Sequence, residues 1–322
     1  MKKCIAGHLI QFMLIVAFSS PCFGGIMYWT DSGSIYSANQ DGSNQQQIFA
    51  GSNTNGIAGW LDIDTTAQKL YWRGGVTTNG YDGGIIRKMN YDGSGIETVL
   101  SGLNHGAYGF ALDQSNGKMY FGDHPDGIFT ANMDGTGKSA LANTAALRHT
   151  HDIEISNSQS KVYYTNAEHT QFNGFNGVRR SNLDGSDVED LVSFSGQNMG
   201  ALHLALDEGL GKMYYTSLVL DSIWKSNLDG SDSELVLSGI NEVLDIELDA
   251  TTGKMYWTTS TLLQRANLDG TDIETLSTFA ASSSSNNLVL GSSAVPEPTS
   301  LALISMGMLG LGGYNLRRKR KV

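Results

Sequence analysis

The side chains best suited to chemistry in this 322-residue chain are a few histidines and a set of carboxylates that recur at one position. His105, His149, His151 and His203 each stand shortly before a run of apolar residues, and Asn241-Glu242 opens another such run. Imidazole together with carboxylate and amide oxygens can coordinate Zn²⁺ or another divalent ion, and a metal-bound water is a nucleophile at neutral pH. That is the chemistry of a lactonase-like or glycan-directed hydrolase. No pair of these residues has a diagnostic metal spacing, so polar lining of a channel is the competing expectation, and no cofactor beyond this candidate cation is assigned. Asp62, Glu154 and Glu247 sit in matching runs (Leu61-Asp62-Ile63, Ile153-Glu154-Ile155, Ile246-Glu247-Leu248), with Ala111 and Ala205 at the equivalent positions between. They are expected to pair with Arg and Lys of neighbouring strands, the alternative being an acidic ring that holds a cation. There is no Gly-x-Ser-x-Gly elbow and no Gly-rich phosphate loop, and Asp229-Gly230-Ser231-Asp232 lacks the closing Glu of an EF-hand. Binding, rather than catalysis, is what these residues support.

The elements that must position them announce themselves by repetition. Aromatic pairs recur at Tyr28-Trp29, Tyr71-Trp72, Tyr120-Phe121, Tyr163-Tyr164, Tyr214-Tyr215 and Tyr256-Trp257, spaced 43, 49, 43, 51 and 42 residues apart. Each is followed by an Asn-x-Asp-Gly turn, at Asn39, Asn90, Asn132, Asn182, Asn227 and Asn267. A period of roughly 40–50 residues built from short strands and Gly turns is the signature of a β-propeller blade. Seven residues before each Tyr after the first stand Asp64, Asp113, Ser156, Asp207 and Asp249, each closing a strand with a fixed apolar register. Strands A, B, C and D thus make one blade. The first repeat lacks its strand A, and a spare strand remains at Asn287-Leu288-Val289-Leu290. The expected fold is therefore all-β: a six-bladed propeller of four-stranded antiparallel blades over residues 25–291, its ring closed by the C-terminal strand.

Loop lengths mark one face. From Tyr to the turn Asn there are 11, 12, 13 and 11 residues in blades one, three, five and six, but 19 in blades two and four. The long B-to-C loops carry Tyr81 in one and His169, Phe172 and Phe175 in the other. Exposed aromatics on Gly/Asn-rich loops suggest a contact surface, against the alternative that they fold back over neighbouring blades. With Tyr108, His105, His149, His151, His203, Asn241 and Glu242 on the same face, they form the candidate binding surface.

Both ends read as processing segments. Residues 1–24 are expected to form a secretory signal helix, from basic Lys2-Lys3 through apolar 9–18 to Cys22-Phe23-Gly24; Pro21 argues against lipidation of Cys22. Cys4 and Cys22 lie in that segment, leaving the body without cysteine. Removing the seven basic residues and one acidic residue of the ends from totals of 21 and 32 leaves 14 and 31, a net −17. Such a body repels phosphate backbones, so nucleic acid is not an expected partner. Residues 292–322 comprise a linker, Pro296-Glu297-Pro298, a short apolar helix over 301–316, and the basic cluster Arg317-Arg318-Lys319-Arg320-Lys321.

That last order resembles the PEP-CTERM sorting signal, with a simple membrane anchor as the alternative. The resemblance implies that an exosortase recognises Pro296-Glu297-Pro298 and cuts nearby. The segment would then engage the inner membrane transiently, and the protein would end in the envelope or outside the cell. The family is associated with bacteria that make exopolysaccharide. The repeats resemble the YWTD repeats of the low-density-lipoprotein-receptor class, which are six-bladed propellers. Tyr28-Trp29-Thr30-Asp31 matches in full, Tyr256-Trp257-Thr258 nearly so, and Asn-Leu-Asp-Gly occurs at 182, 227 and 267. The fourth signature position varies (Asp31, Gly74, Asp123, Asn166, Ser217, Thr259), so Asp-centred bonding between blades should be partial. The resemblance implies a binding or scaffolding module for an extracellular protein or polysaccharide.

Overall fold

In the computed structural model, the described residues form twenty-four strands, grouped into six separate four-stranded antiparallel sheets. It describes residues 25–52, 57–75, 84–103, 109–123, 126–144, 150–167, 175–194, 203–279 and 287–291. The expected signal helix, the apolar C-terminal helix and Pro296-Glu297-Pro298 lie outside these. Among the described residues no helix is long and apolar enough to cross a membrane.

Blade one is β24 (Leu288–Gly291), β1 (Ile26–Asp31), β2 (Ser34–Asn39) and β3 (Gln46–Phe49), in that order from the inside. Blade two comprises β4 (Ile57–Asp64), β5 (Lys69–Gly75), β6 (Gly84–Asn90) and β7 (Glu97–Leu103). Blade three comprises β8 (Phe110–Asp113), β9 (Lys118–Gly122), β10 (Ile128–Asn132) and β11 (Ser139–Ala140). Blade four comprises β12 (Thr150–Ser156), β13 (Lys161–Ala167), β14 (Asn176–Asn182) and β15 (Glu189–Ser193). Blade five comprises β16 (Leu204–Asp207), β17 (Lys212–Ser217), β18 (Ser222–Asn227) and β19 (Glu234–Ser238). Blade six comprises β20 (Val243–Asp249), β21 (Lys254–Thr259), β22 (Leu262–Asn267) and β23 (Glu274–Thr278). The expected closure is present: Met27 pairs with Leu290, Tyr28 with Val289 and Trp29 with Leu288.

The aromatic pair explains why blades stack. Neighbouring residues of a strand point to opposite sheet faces, so one member of each pair serves each neighbouring blade. Tyr28 packs with Ile63, Trp72 and Val289 between blades one and two, while Trp29 packs with Tyr256, Leu263 and Leu288 between blades six and one. Six such buried clusters, one per interface, replace a single central core. The first Tyr is also a polar staple. The hydroxyls of Tyr71, Tyr120, Tyr163 and Tyr214 donate to the carbonyls of Met133, Leu183, Leu228 and Leu268, each the residue after the turn Asn of the next blade.

The Asn-x-Asp-Gly turn serves the same interface. Asp134 accepts from the backbone and hydroxyl of Thr136, and Asn132 Nδ2 donates to Thr136 Oγ1. Lys118 of strand B reaches the Asn132 side chain at 2.6 Å. Gly135 has φ of 86°, and a Cβ there would lie 1.9 Å from the Val99 carbonyl of the preceding blade. Glycine is thus required both by backbone conformation and by the approach of the neighbouring blade.

Among the described residues, bonds at the fourth signature position stay within one blade, rather than crossing to a neighbour in some blades. Asp31 accepts from adjacent Ser32, and Asp123 pairs with Lys138 of its own blade at 2.8 Å. Blade three departs most from the pattern. Its outer strand is reduced to two residues, because the Thr144 hydroxyl accepts from Ile128 N–H and donates to the Leu141 carbonyl, closing the strand off.

Candidate functional site

The innermost strands present two layers of side chains to the central channel. In the inner layer, the residues paired with the first Tyr of each blade are Val289, Asp62, Ala111, Glu154, Ala205 and Glu247. The outer layer, nearer the D-to-A connections, holds the residues just before Leu288, Leu61, Phe110, Ile153, Leu204 and Ile246. These are Asn287, Trp60, Gly109, Asp152, His203 and Asp245. A cavity of about 280 Å³ runs between the layers, bounded by Asp62, Asp152, Glu154, Asp245, Glu247 and Asn287 among others.

The signature threonine places the outer layer. Thr165, Thr216, Thr258 and Thr30 Oγ1 accept from the backbone N–H of Asp152, His203, Asp245 and Asn287, at 2.9–3.2 Å. Blades two and three have Arg73 and Gly122 in place of this Thr, and their outer-layer residues are Trp60 and Gly109. A register shift between Thr150 and Ile153, repeated between Val243 and Ile246, brings the two aspartates inward. Bulges re-aim side chains in this way.

The carboxylates are held by backbone. Asp152 accepts from Ile153 N–H through Oδ1 and from Leu204 N–H of the next blade through Oδ2. Asp245 repeats this with Ile246 and Leu288, and also accepts from the Asn287 amide at 3.2 Å. Asp62, one layer deeper, does the same with Ile63 and Leu112. The inner strands have free edges toward the channel, and these acids satisfy their exposed N–H groups. Between the two outer aspartates lies His203, its Nδ1 3.0 Å from Asp245 Oδ1 and 3.7 Å from Asp152 Oδ2. The contact with Asp245 becomes an ion pair only when the ring is protonated, and with the ring neutral the buried nitrogen has no hydrogen-bond donor to meet it.

Burial shapes the electrostatics. It pushes Asp62 and Asp152 up to about 7, against backbone hydrogen bonds and, for Asp152, the His203 charge, both of which pull the other way. Glu154 and Glu247 are raised well above the usual carboxylate range by burial and by neighbouring carboxylates. For His203 burial alone would lower the imidazole, but Asp245 and Asp152 outweigh it and the net shift is upward. The expected pairing of Asp62, Glu154 and Glu247 with Arg and Lys is not what forms. None of the ion pairs among the described residues includes them. The Lys and Arg side chains of the described ion pairs lie on strands B and C and pair with exposed acids, apart from Lys138, which precedes β11 and meets the buried Asp123.

Of the binding-face residues expected from sequence, His203 meets the channel carboxylates Asp152 and Asp245, and the sequence-marked Asp62, Glu154 and Glu247 line the cavity. His151 is half-buried, and its carbonyl accepts the indole N–H of Trp60, which reaches from blade two to blade four. Asn241 and Glu242 do not converge on the channel. Both are exposed in a turn where Glu242 has φ of 55° and its N–H faces Asp221, which directs the side chain outward. Phe175 folds back, with the Arg179 guanidinium 3.9 Å above its ring. Tyr81, His105, Tyr108, His149, His169 and Phe172 lie outside the described residues. Sequence reasoning missed Asp152 and Asp245. The signal was there: each stands 13 residues before a signature Thr.

Fold and channel together define a closed six-bladed propeller with an acidic, histidine-containing axis. Residues 294–319 match the PEP-CTERM protein-sorting motif, which implies export and exosortase-dependent sorting at the membrane. Over 203 residues the chain is 25% identical to the low-density lipoprotein receptor-related protein 1 of Pyricularia oryzae, spanning 54% of this chain and 64% of that protein's length. It superposes on a chain of the nidogen/laminin complex with a TM-score of 0.69 at 14% identity, covering 84% of this chain and 100% of the other. TolB of Acinetobacter baumannii gives a TM-score of 0.64 at 11% identity, covering 84% and 67%. Both structural likenesses speak to the fold alone.

Proposed function

We propose that this protein is an exported binding or scaffolding propeller of the cell envelope or extracellular matrix. It engages a protein or polysaccharide through the face where the B-to-C and D-to-A connections emerge. The observation that carries the reading is the pairing of a closed propeller with a C-terminal sorting motif: a rigid ring delivered across the inner membrane. Three further features support it. By sequence the two longest B-to-C connections fall in blades two and four. The strongly acidic body disfavours nucleic acid. One structure it superposes on comes from a protein–protein complex, that of nidogen and laminin.

The test is binding of the full chain to purified exopolysaccharide and to purified envelope proteins of the producing bacterium, measured by surface plasmon resonance. Saturable binding that is lost when residues 76–83 and 168–174 are replaced by short Gly-Ser turns supports the reading. Absence of binding to either class, or binding unchanged in the loop variant, overturns it.

A further inference from the structure

We propose that Asp152, His203 and Asp245 form a site for one divalent transition-metal ion on the channel axis, in the class of Zn²⁺ or Mn²⁺. This goes beyond the binding role of the loop face and does not depend on it.

The geometry comes first. One ligand atom from each residue lies within 4.8 Å of the others, with His203 Nδ1 3.0 Å from Asp245 Oδ1 and 3.7 Å from Asp152 Oδ2. Ligands about 2.0–2.1 Å from a tetrahedral ion stand roughly 3.3 Å apart, which these two spacings bracket. The three residues come from consecutive blades four, five and six, so the packing of those blades sets the triangle. The carboxylates are oriented by backbone N–H donors, the outer partners that metal ligands commonly have. An oxygen that accepts one N–H keeps a second lone pair for an ion.

An independent observation points to a ligand. The His203 side chain is nine-tenths buried and its Nδ1, aimed between the two aspartates, makes no hydrogen bond. A buried ring nitrogen without a bond is costly unless something else occupies its lone pair. Charge argues the same way. Asp62, Asp152, Glu154, Asp245 and Glu247 all line one cavity, and no Lys or Arg pairs with any of them among the described ion pairs. A divalent cation would offset that concentration of charge. The adjoining cavity of about 280 Å³ has room for water to complete the coordination. Imidazole with two carboxylates suits Zn²⁺ or Mn²⁺, whereas Ca²⁺ and Mg²⁺ favour sets of oxygen alone.

The full chain, stripped with chelator, is titrated with Zn²⁺, Mn²⁺ and Ca²⁺ by isothermal calorimetry, and crystals of the loaded protein are examined by anomalous diffraction at the metal edge. The expected result is one equivalent of Zn²⁺ or Mn²⁺, little Ca²⁺, and an anomalous peak between His203 Nδ1 and the two aspartates. His203→Gln is expected to weaken uptake at least 100-fold, and His151→Ala to leave it unchanged. No stoichiometric uptake by the unaltered chain would identify His203 as an internal counter-ion and overturn the proposal. So would a peak elsewhere, or undiminished uptake in a folded His203→Gln protein. The diffraction arm decides the matter even where the variant fails to fold.

Discussion

Ending the chain after Phe279 removes β24, and the structure says what that costs. Leu288 and Val289 are both buried, on opposite faces of the strand: Val289 in the cluster between blades one and two, Leu288 in that between blades six and one. Their burial is worth ~1.5–3 kcal/mol each. Four residue pairs with β1 are lost, together with the exchange between Thr30 and Asn287, at about 1 kcal/mol per hydrogen bond. Freeing five residues returns roughly 1–2 kcal/mol each in chain entropy. A net loss of a few kcal/mol remains, a large part of a typical ~5–15 kcal/mol. At ~2–4 °C per kcal/mol the melting temperature should fall by about 5–15 °C. Differential scanning calorimetry of the full and shortened chains is the assay. Val289→Asp, which keeps the chain length but buries a charge against Tyr28 and Ile63, should destabilise in the same direction. Equal melting temperatures for all three would show that blade one does not depend on β24.

Other consequences are as direct. Gly135→Ala should cost about 2 kcal/mol or more in denaturant titration, whereas Gly117→Ala, also at positive φ but with open space around it, should cost only the ~1–2 kcal/mol of the backbone conformation. Equal losses would remove the inter-blade contact as the reason for the turn glycine. Tyr214→Phe leaves the Leu268 carbonyl without its donor and should cost about 1 kcal/mol in the same titration; no loss would mean that water replaces the hydroxyl. In chelator, stability should fall as pH rises from about 5 to about 8. Asp62 and Asp152 titrate near 7 when folded and near 3.8 when unfolded, so the native state holds extra protons that it gives up across this window. The turn aspartates such as Asp134 are shifted the other way by their Thr or Ser partners, so their contribution is present above the unfolded value and lost in acid. A melting temperature highest at about pH 8 in chelator would contradict the channel assignment.

The blades were legible because each is written by a local rule. A strand of period two, an aromatic pair, and Asn-x-Asp-Gly suffice to fix register, turn and interface within one repeat, and six copies give the ring. Closure was legible too, since a missing strand A and a spare strand at the other end leave little choice. Phe175 was not. An aromatic on a long loop is equally a contact residue or a lid over its own blade, and only Arg179, four residues further along in β14, decides between them.

The channel shows where local reading stops. Asp152, His203 and Asp245 are 51 and 42 residues apart, separations set by blade length rather than by ligand geometry, so no motif could carry them. What brings them together is the ring, and what aims the two aspartates inward is a bulge that shifts each strand A ahead of its apolar run. Histidines and acids near those runs are therefore equivalent by sequence, and nothing local separates His203 from Glu242, whose turn sends it outward. The discriminating residue was the signature Thr, read as a mark of the repeat when it is also a positioning device. Where it is present, in blades one, four, five and six, its hydroxyl holds the outer-layer backbone and the side chain there is Asn, Asp, His or Asp. Where Arg73 or Gly122 replaces it, the channel residue is Trp60 or Gly109. The departures from the repeat, more than the repeat itself, thus mark out which arc of the ring carries polar chemistry.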